Sequence, residues 1–459
     1  MTGLLFISLL GCKDKEKSIL FDEDLGQFDV KFKEFVPTVQ QVLVDSVKMD
    51  IPSTIKAGVI NDFEYGVVRR NHFTEYYTNE GVEVDPASTY ISTTLRLEVD
   101  FNFYEGVKAN SSHTIEIFEL TDSINNENNQ YYNYSTVAYN PVPIGTHTFD
   151  AKILEYEDNI AATDVRDSID IVIDDAFGMK LFEKAQDPTY FTNPSGGKRR
   201  REFPGLLIKI DGANILSFKK DGYTELILNT ITADDEPTDF SYGFGLNSNV
   251  SFQNIEHDKT GTALENLNNF YEPSPLTDGL AYAQSSTGFM PMLDISAIKE
   301  GFKDVSSYKL NSAIIEFDLI VDNDNFEIIK APEYIGLSAC LENGQYDYNY
   351  RTRIIATNGD IAKDQVSKKF IFKDVNPNEP NLVSIQETEE GTEVWTYRAN
   401  ITFFIQFLLD DTVDFKDLIL MPVSVSQTDL IYRIDNFERF RLDPNNVKVK
   451  VFYTQAKVQ

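Results

Sequence analysis

The sequence predicts an all-β fold: two tandem antiparallel β-sandwich domains, jelly-roll-like, with a few short helices. Three observations predict it. Apolar residues alternate with period two along most of the chain, helical periods are scarce, and one set of strand segments recurs at near-constant spacing.

Taken in order, the chain opens MTGLLFISLLGCKDKEKS. Leu4 to Leu10 is an apolar run of signal-peptide length, too short to cross a bilayer. It ends Leu9-Leu10-Gly11-Cys12, which resembles a lipobox: a small residue for the lipoprotein signal peptidase, then a thiol for diacylglycerol transfer. No basic residue precedes the run, as the usual form would have. The expected cofactor is none beyond the covalent lipid on Cys12. Residues 1–12 then form the signal peptide, and 13–35, charged and Gly/Asp-containing, a flexible tether. Lys13 to Lys17 resembles the short charged signal that sends Bacteroidota lipoproteins to the cell surface.

The strands follow. In ISTTLRLEVDFNF, Leu95, Leu97, Val99, Phe101 and Phe103 share one face, while Thr94, Arg96, Glu98, Asp100 and Asn102 take the other. Ile115 and Ile117 alternate in HTIEIFEL, and Ile169, Ile171 and Ile173 in DSIDIVID. Val447, Val449, Val451 and Tyr453 do so in NNVKVKVFYT. Short helices are expected at Phe177–Lys184, Ala263–Phe270 and Ile295–Phe302. Turns are expected at Asn125–Gln130, Pro194–Lys198, Asp322–Asn325 and Asn376–Pro380.

Three segment pairs repeat in the same order. Ser92–Phe101 resembles Ser312–Val321, Phe203–Ile210 resembles Phe415–Pro422, and Tyr223–Thr230 resembles Val447–Thr454, at offsets of 220, 212 and 224 residues. The acidic stretch Ala233–Asp239 is the natural join, giving module 1 over 36–232 and module 2 over 233–459.

Composition narrows the function. The chain has 459 residues, 42% hydrophobic, with 33 Phe and 23 Tyr, enough apolar surface for sizeable cores. A net charge of -32 repels phosphate backbones, so nucleic acid is not an expected partner. Two cysteines, Cys12 and Cys340, make no disulfide framework, and Cys340 in IGLSACLEN reads as a buried apolar residue.

Catalytic signatures are missing: no P-loop, no dinucleotide-binding glycine motif, no H-E-x-x-H and no G-x-S-x-G. His72, His113, His147 and His257 lack ligand spacing, and no pair among the 73 acids stands out for glycoside hydrolysis. Asp322-Asn323-Asp324-Asn325 reads first as a polar hairpin turn, with a structural Ca2+ as its alternative. The candidate contacts are aromatic and basic. Tyr131, Tyr132 and Tyr134 lie in NNQYYNY, Tyr346 and Tyr348 in QYDYNY, and Trp395 in TEVWTYRAN; each reads either as a ligand contact or as packing under a loop. Arg199, Arg200 and Arg201 form the dense basic cluster GGKRRR, suited to an acidic partner or to the phosphates of lipid headgroups, or else a solvated hairpin loop. Asp45-Ser46-Val47, Asp122-Ser123-Ile124, Asp167-Ser168-Ile169 and Asp411-Thr412-Val413 resemble Bacteroidota O-glycosylation triplets.

Several segments together resemble a Bacteroidota surface-lipoprotein family, domain-of-unknown-function family 4270. They are the lipobox Cys12, LRLEVDFNFYEG with HTIEIFELTDS, AYAQSSTGFMPMLDIS with KLNSAIIEFDLIV and APEYIGLSA, and ITFFIQFLL with LILMPVS and VKVKVFYT. The order of these loose patterns, spanning residue 20 to the C-terminus, carries the resemblance. It implies an outer-membrane lipoprotein and transfers no catalytic residue. The expectation is a non-enzymatic, lipid-anchored protein facing the cell exterior. It would act as an accessory subunit of an outer-membrane β-barrel assembly, with a surface glycan-binding protein as the alternative and a glycan-active hydrolase third.

Overall fold

A computed structural model describes residues 28–456, except 46, 48, 50–51, 78–83, 101–104, 107–110, 125–130, 152–167, 188–189, 191–201, 221–223, 234–237, 321–331, 333, 340–361, 364–369, 372–381, 389–393, 411–416, 426–431 and 434–436. In chain order the strands are β1 (Phe28–Phe35), β2 (Thr38–Leu43), β3 (Thr54–Asp62), β4 (Gly66–Tyr77), β5 (Thr89–Glu98), β6 (Glu105–Gly106), β7 (Ser111–Glu119), β8 (Gly145–Ala151), β9 (Ser168–Ile173), β10 (Leu206–Asp211), β11 (Asn214–Lys219), β12 (Glu225–Ile231) and β13 (Asp239–Asp258). Then come β14 (Ala281–Gln284), β15 (Phe289–Asp294), β16 (Tyr308–Ile320), β17 (Tyr334–Ala339), β18 (Ala362–Lys363), β19 (Phe370–Ile371), β20 (Leu382–Thr388), β21 (Val394–Asn400), β22 (Asp417–Val425), β23 (Tyr432–Arg433), β24 (Arg439–Leu442) and β25 (Lys448–Ala456). The helices are α1 (Asp175–Ala185), α2 (Ser296–Phe302) and α3 (Thr402–Leu409).

The fold is all-β and antiparallel. Two large sheets hold most strands, one built from β3 to β13 and the other from β14 to β25 with β1 and β2. Each closes on itself. In the first, β4 pairs with β10 as well as β13, completing a ring; in the second, β16 pairs with β24 to do the same.

Strand order is common to both. The first sheet runs β13-β12-β5-β9-β8-β7-β10, and the second β1-β25-β16-β21-β20-β17-β22. One helix follows β9 and another follows β21. The hairpin β3–β4 has its counterpart in β14–β15. Next to β12 and β4 lies the single long strand β13; next to β25 and β15 lie β1 and β2 in succession. The start of the described chain therefore occupies, in the second sheet, the position that β13 occupies in the first.

This arrangement differs from two boundaries read off the sequence. Residues 28–35, expected in the tether, form β1, because FDVKFKEF alternates and can lie against β25 over eight residue pairs. β13, which follows the expected join, stays with the first sheet, and β2 belongs to the second. The helix expected at Ala263–Phe270 is instead a run of turns, closed by i→i−3 bonds such as Glu265 N–H to Thr262 O and Leu267 N–H to Leu264 O. Helix α3 was hidden in ITFFIQFLL, a nearly unbroken apolar run that offers no period to read. The four expected turns and Cys340 lie outside the described residues.

The core follows the alternation. Leu95, Leu97, Ile115, Ile117, Ile171, Ile173, Leu226 and Leu228 are buried inside the first sheet with Phe177 and Leu181 of α1. Ile315, Phe317, Val449, Val451 and Tyr453 fill the second, with Phe404 and Leu408 of α3. Asp174 caps α1 by accepting from Ala176 N–H at 2.8 Å. Gly178 lets that helix approach β5, since a Cβ there would sit 2.1 Å from the Tyr90 hydroxyl.

Candidate functional site

Two places gather polar and aromatic side chains: the junction between the sheets and one outer face of the first sheet.

At the junction, Val42, Val44, Val47, Met49, Ile60, Val68 and Ile255 pack with Met290, Met292, Ile419, Met421 and Phe437. Asp62, at the end of β3, forms a buried ion pair with Arg439 of β24. Its Oδ1 also accepts from Glu64 N–H at 2.7 Å and Tyr65 N–H at 3.0 Å, so one carboxylate shapes the β3–β4 turn and holds the second sheet. The Tyr65 hydroxyl donates toward the carbonyls of Phe440 (2.9 Å) and Ala283 (3.2 Å), and the Arg439 guanidinium lies 4.9 Å from its ring centroid. Burial pushes the Tyr65 hydroxyl pKa well up, against the lowering pull of Arg439. Beside it, Arg441 pairs with Glu64 at 2.7 Å.

The tyrosine-rich loop is drawn into this junction. Met49 N–H donates to Tyr131 O at 2.9 Å and Asn133 N–H to Val47 O at 2.8 Å, so the 44–53 connection and the loop bind each other through backbone. The Tyr131 ring stacks on Phe252 at 4.0 Å, and Phe252 on Phe73 at 4.6 Å. The Tyr134 hydroxyl donates to Thr287 O at 2.7 Å across to the second sheet, and burial raises its pKa. Tyr132 is half-buried beside them. These tyrosines are thus placed in intramolecular contacts. Trp395 lies on β21, its backbone opposite Leu319 and Thr388. Cys12, Arg199, Arg200, Arg201, Tyr346, Tyr348 and the Asp322–Asn325 turn lie outside the described residues.

Two histidines lie near the junction, His257 half-buried and His72 buried. His257 holds the Tyr65 carbonyl at 2.5 Å through Nε2, so the proton sits on that nitrogen, and burial lowers its pKa to about 4. His72 is fully buried, and burial, with Lys220 and Arg70 nearby, lowers its pKa well below the ordinary value. His113 stacks on Phe149 at 5.8 Å, and His147 on the same ring at 6.2 Å. Among the described residues, no group of three or more His, Cys, Asp or Glu could hold a metal ion.

The outer face of β4, β10 and β13 carries a second arrangement, which the sequence reading missed. Glu256 Oε1 accepts from Asn71 Nδ2 at 2.7 Å and from Lys209 Nζ at 3.3 Å, and Arg69 Nε lies 4.0 Å from Oε2. Arg69 also reaches Asp211 at 2.9 Å, and Asn71 Nδ2 bonds Asn254 Oδ1 at 3.1 Å. At the border, Lys209 Nζ reaches the Tyr139 hydroxyl at 3.2 Å and sits 5.2 Å from its ring centroid. The result is a polar platform, exposed at Asp211 and Glu256, partly exposed at Arg69 and Lys209 and buried at Asn71 and Asn254, with an aromatic ring at one side. Its residues alternate with core residues in VVRRNHFTEYY and LLIKID, which is the only trace of it in the sequence. Their juxtaposition across three strands needs the sheet order.

The chain matches no protein-family model, and no curated protein matches it in sequence. Among the described residues, no helix is long and apolar enough to cross a membrane.

Proposed function

We propose that this chain is a lipid-anchored interaction protein of a bacterial outer membrane, held through Cys12 and facing outward. Its partner is an outer-membrane β-barrel protein or complex, which it serves as an accessory subunit. The observation that carries the interaction role is the polar platform of Arg69, Lys209, Asp211 and Glu256 beside Tyr139, with Asn71 buried beneath it and bonded to Glu256. Its charges are mutually aligned before any partner arrives, which reduces the ordering cost of binding. The lipobox-like start and the resemblance to family 4270 support the membrane assignment.

The test is co-purification from detergent-solubilised outer membranes. Recovery of a barrel protein with the native chain, and its loss with Lys209→Ala plus Glu256→Ala, is the expected result. Recovery of the native chain alone counts against docking.

Tyr139 with its amide and carboxylate neighbours also favours a second reading, a glycan-binding face, since sugars stack on rings while donors and acceptors take their hydroxyls. A glycan array probed with the native protein separates the two, and no bound glycan removes this one.

A further inference from the structure

The proposed anchor leaves open which face of the molecule meets the bilayer, and the first strand bears on this. Among the described residues β1 pairs with β25 alone, and no described strand lies on its other edge. Its register places Val30 opposite Thr454, Phe32 opposite Phe452 and Glu34 opposite Lys450. Since Val449, Val451 and Tyr453 are buried, Val30, Phe32, Lys450 and Phe452 share the outer face. Val30 is 53% exposed, Phe32 50% and Val36 54%, three large apolar residues within seven positions. The Phe32 and Phe452 rings lie 5.0 Å apart, forming one apolar ridge.

β1 and β25 together carry Lys31, Lys33, Lys448 and Lys450 against Asp29 and Glu34, in a chain of net charge -32. Two of these lysines are engaged within the molecule: Lys33 donates to the Gly301 carbonyl, and Lys450 pairs with Glu316 at 2.9 Å. Phe28 also stands close to Cys12 in sequence. The intervening chain reaches at most roughly 55 Å when fully extended.

Resting on the anchor reading above, we propose that the β1 edge is the membrane-facing surface of the protein. Val30, Phe32 and Val36 sit at the boundary between headgroups and acyl chains. An open strand edge is tolerated there, because water and phosphate oxygens satisfy backbone donors that the hydrocarbon would not. The acidic remainder is held off the headgroups, so the molecule stands on this edge rather than lying flat.

The experiment uses the full lipidated chain in phosphatidylcholine vesicles with brominated acyl chains. Trp395→Phe removes the native indole. A reporter is then placed by Phe32→Trp, by Val36→Trp outside the strand pairing, or by Val172→Trp on the first sheet. Expected are flotation with the vesicles and a fall in emission of at least about twofold at positions 32 and 36, with no fall at 172. Flotation without quenching at 32 or 36, or equal quenching at all three, overturns the proposal and leaves the anchor standing. Failure to float overturns both. Doubling of the sedimenting mass in solution, abolished by Phe32→Asp, would assign the edge to a second copy of the chain and also overturn it.

Discussion

Replacing Asp62 by Asn tests whether the two sheets are held together as the geometry implies. The substitution keeps an oxygen for the Glu64 and Tyr65 amides, so the β3–β4 turn survives, but it removes the negative charge that Asp62 sets against the buried Arg439 guanidinium. The side chains are 1% and 8% exposed, so solvent screens neither. Breaking a buried pair from one side costs about 3–5 kcal/mol, and the Tyr65 ring retains part of the cation's stabilisation, which favours the lower end, about 3 kcal/mol. Urea unfolding followed by far-ultraviolet circular dichroism and by Trp395 emission measures it. Trp395 is the single tryptophan and lies on β21, so its signal reports the second sheet. The native protein should show coincident transitions. Asp62→Asn should shift the midpoint and separate the two signals, because the sheets lose a buried ion pair that links them. Asp62→Asn with Arg439→Met should cost less than the two single changes added together, by at least about 2 kcal/mol. A single-variant loss under about 1 kcal/mol, or strict additivity, would refute the reasoning.

Other consequences follow from the same junction. His257 has a folded pKa of about 4, below its unfolded value, so the unfolded chain takes up the proton first as pH falls. Its contribution is complete above about pH 6.5 and is lost as pH falls to about 4, roughly 3 kcal/mol in all; His257→Gln should flatten the pH-stability profile across that window, while His72 and His113, whose pKa values burial also lowers, keep a slope of the same sign. Tyr65→Phe removes a hydroxyl shared between two carbonyls of the second sheet and should cost about 1–2 kcal/mol in the same unfolding assay. Tyr131→Ala removes a ring stacked on Phe252 and should destabilise by about 3 kcal/mol, so a binding defect in that variant has meaning only after its folding has been measured.

Much of the fold was legible because one face of each strand is apolar. Leu95 and Leu97, Ile115 and Ile117, and Val449 and Val451 alternate cleanly with polar residues, and all are buried. The segment YTELILNT misled by one position. Alignment with VKVKVFYT sets Leu226 against Lys450, yet Leu226 pairs with Leu95 in the first sheet as Val449 pairs with Ile315 in the second. Leu226, Ile227 and Leu228 are apolar in succession, so the sequence does not say which face is inward. The candidate sites were less legible still. Tyr131 and Tyr134 look the same in sequence whether a loop is free or folded over Phe252 and Thr287. The platform brings Arg69, Lys209 and Glu256 together from strands far apart along the chain, and only sheet order makes them neighbours.

The placement of β1 and β2 has a mechanical consequence. A pull on the start of the chain runs along β1, whose ladder bonds to β25 lie across the strand. All eight residue pairs from Phe28–Ala456 to Phe35–Val449 then share the load at once, with the β2 ladder to β15 behind them. A chain dragged by its first residues in flowing medium would be gripped in shear by the last strand it made, rather than peeled open pair by pair.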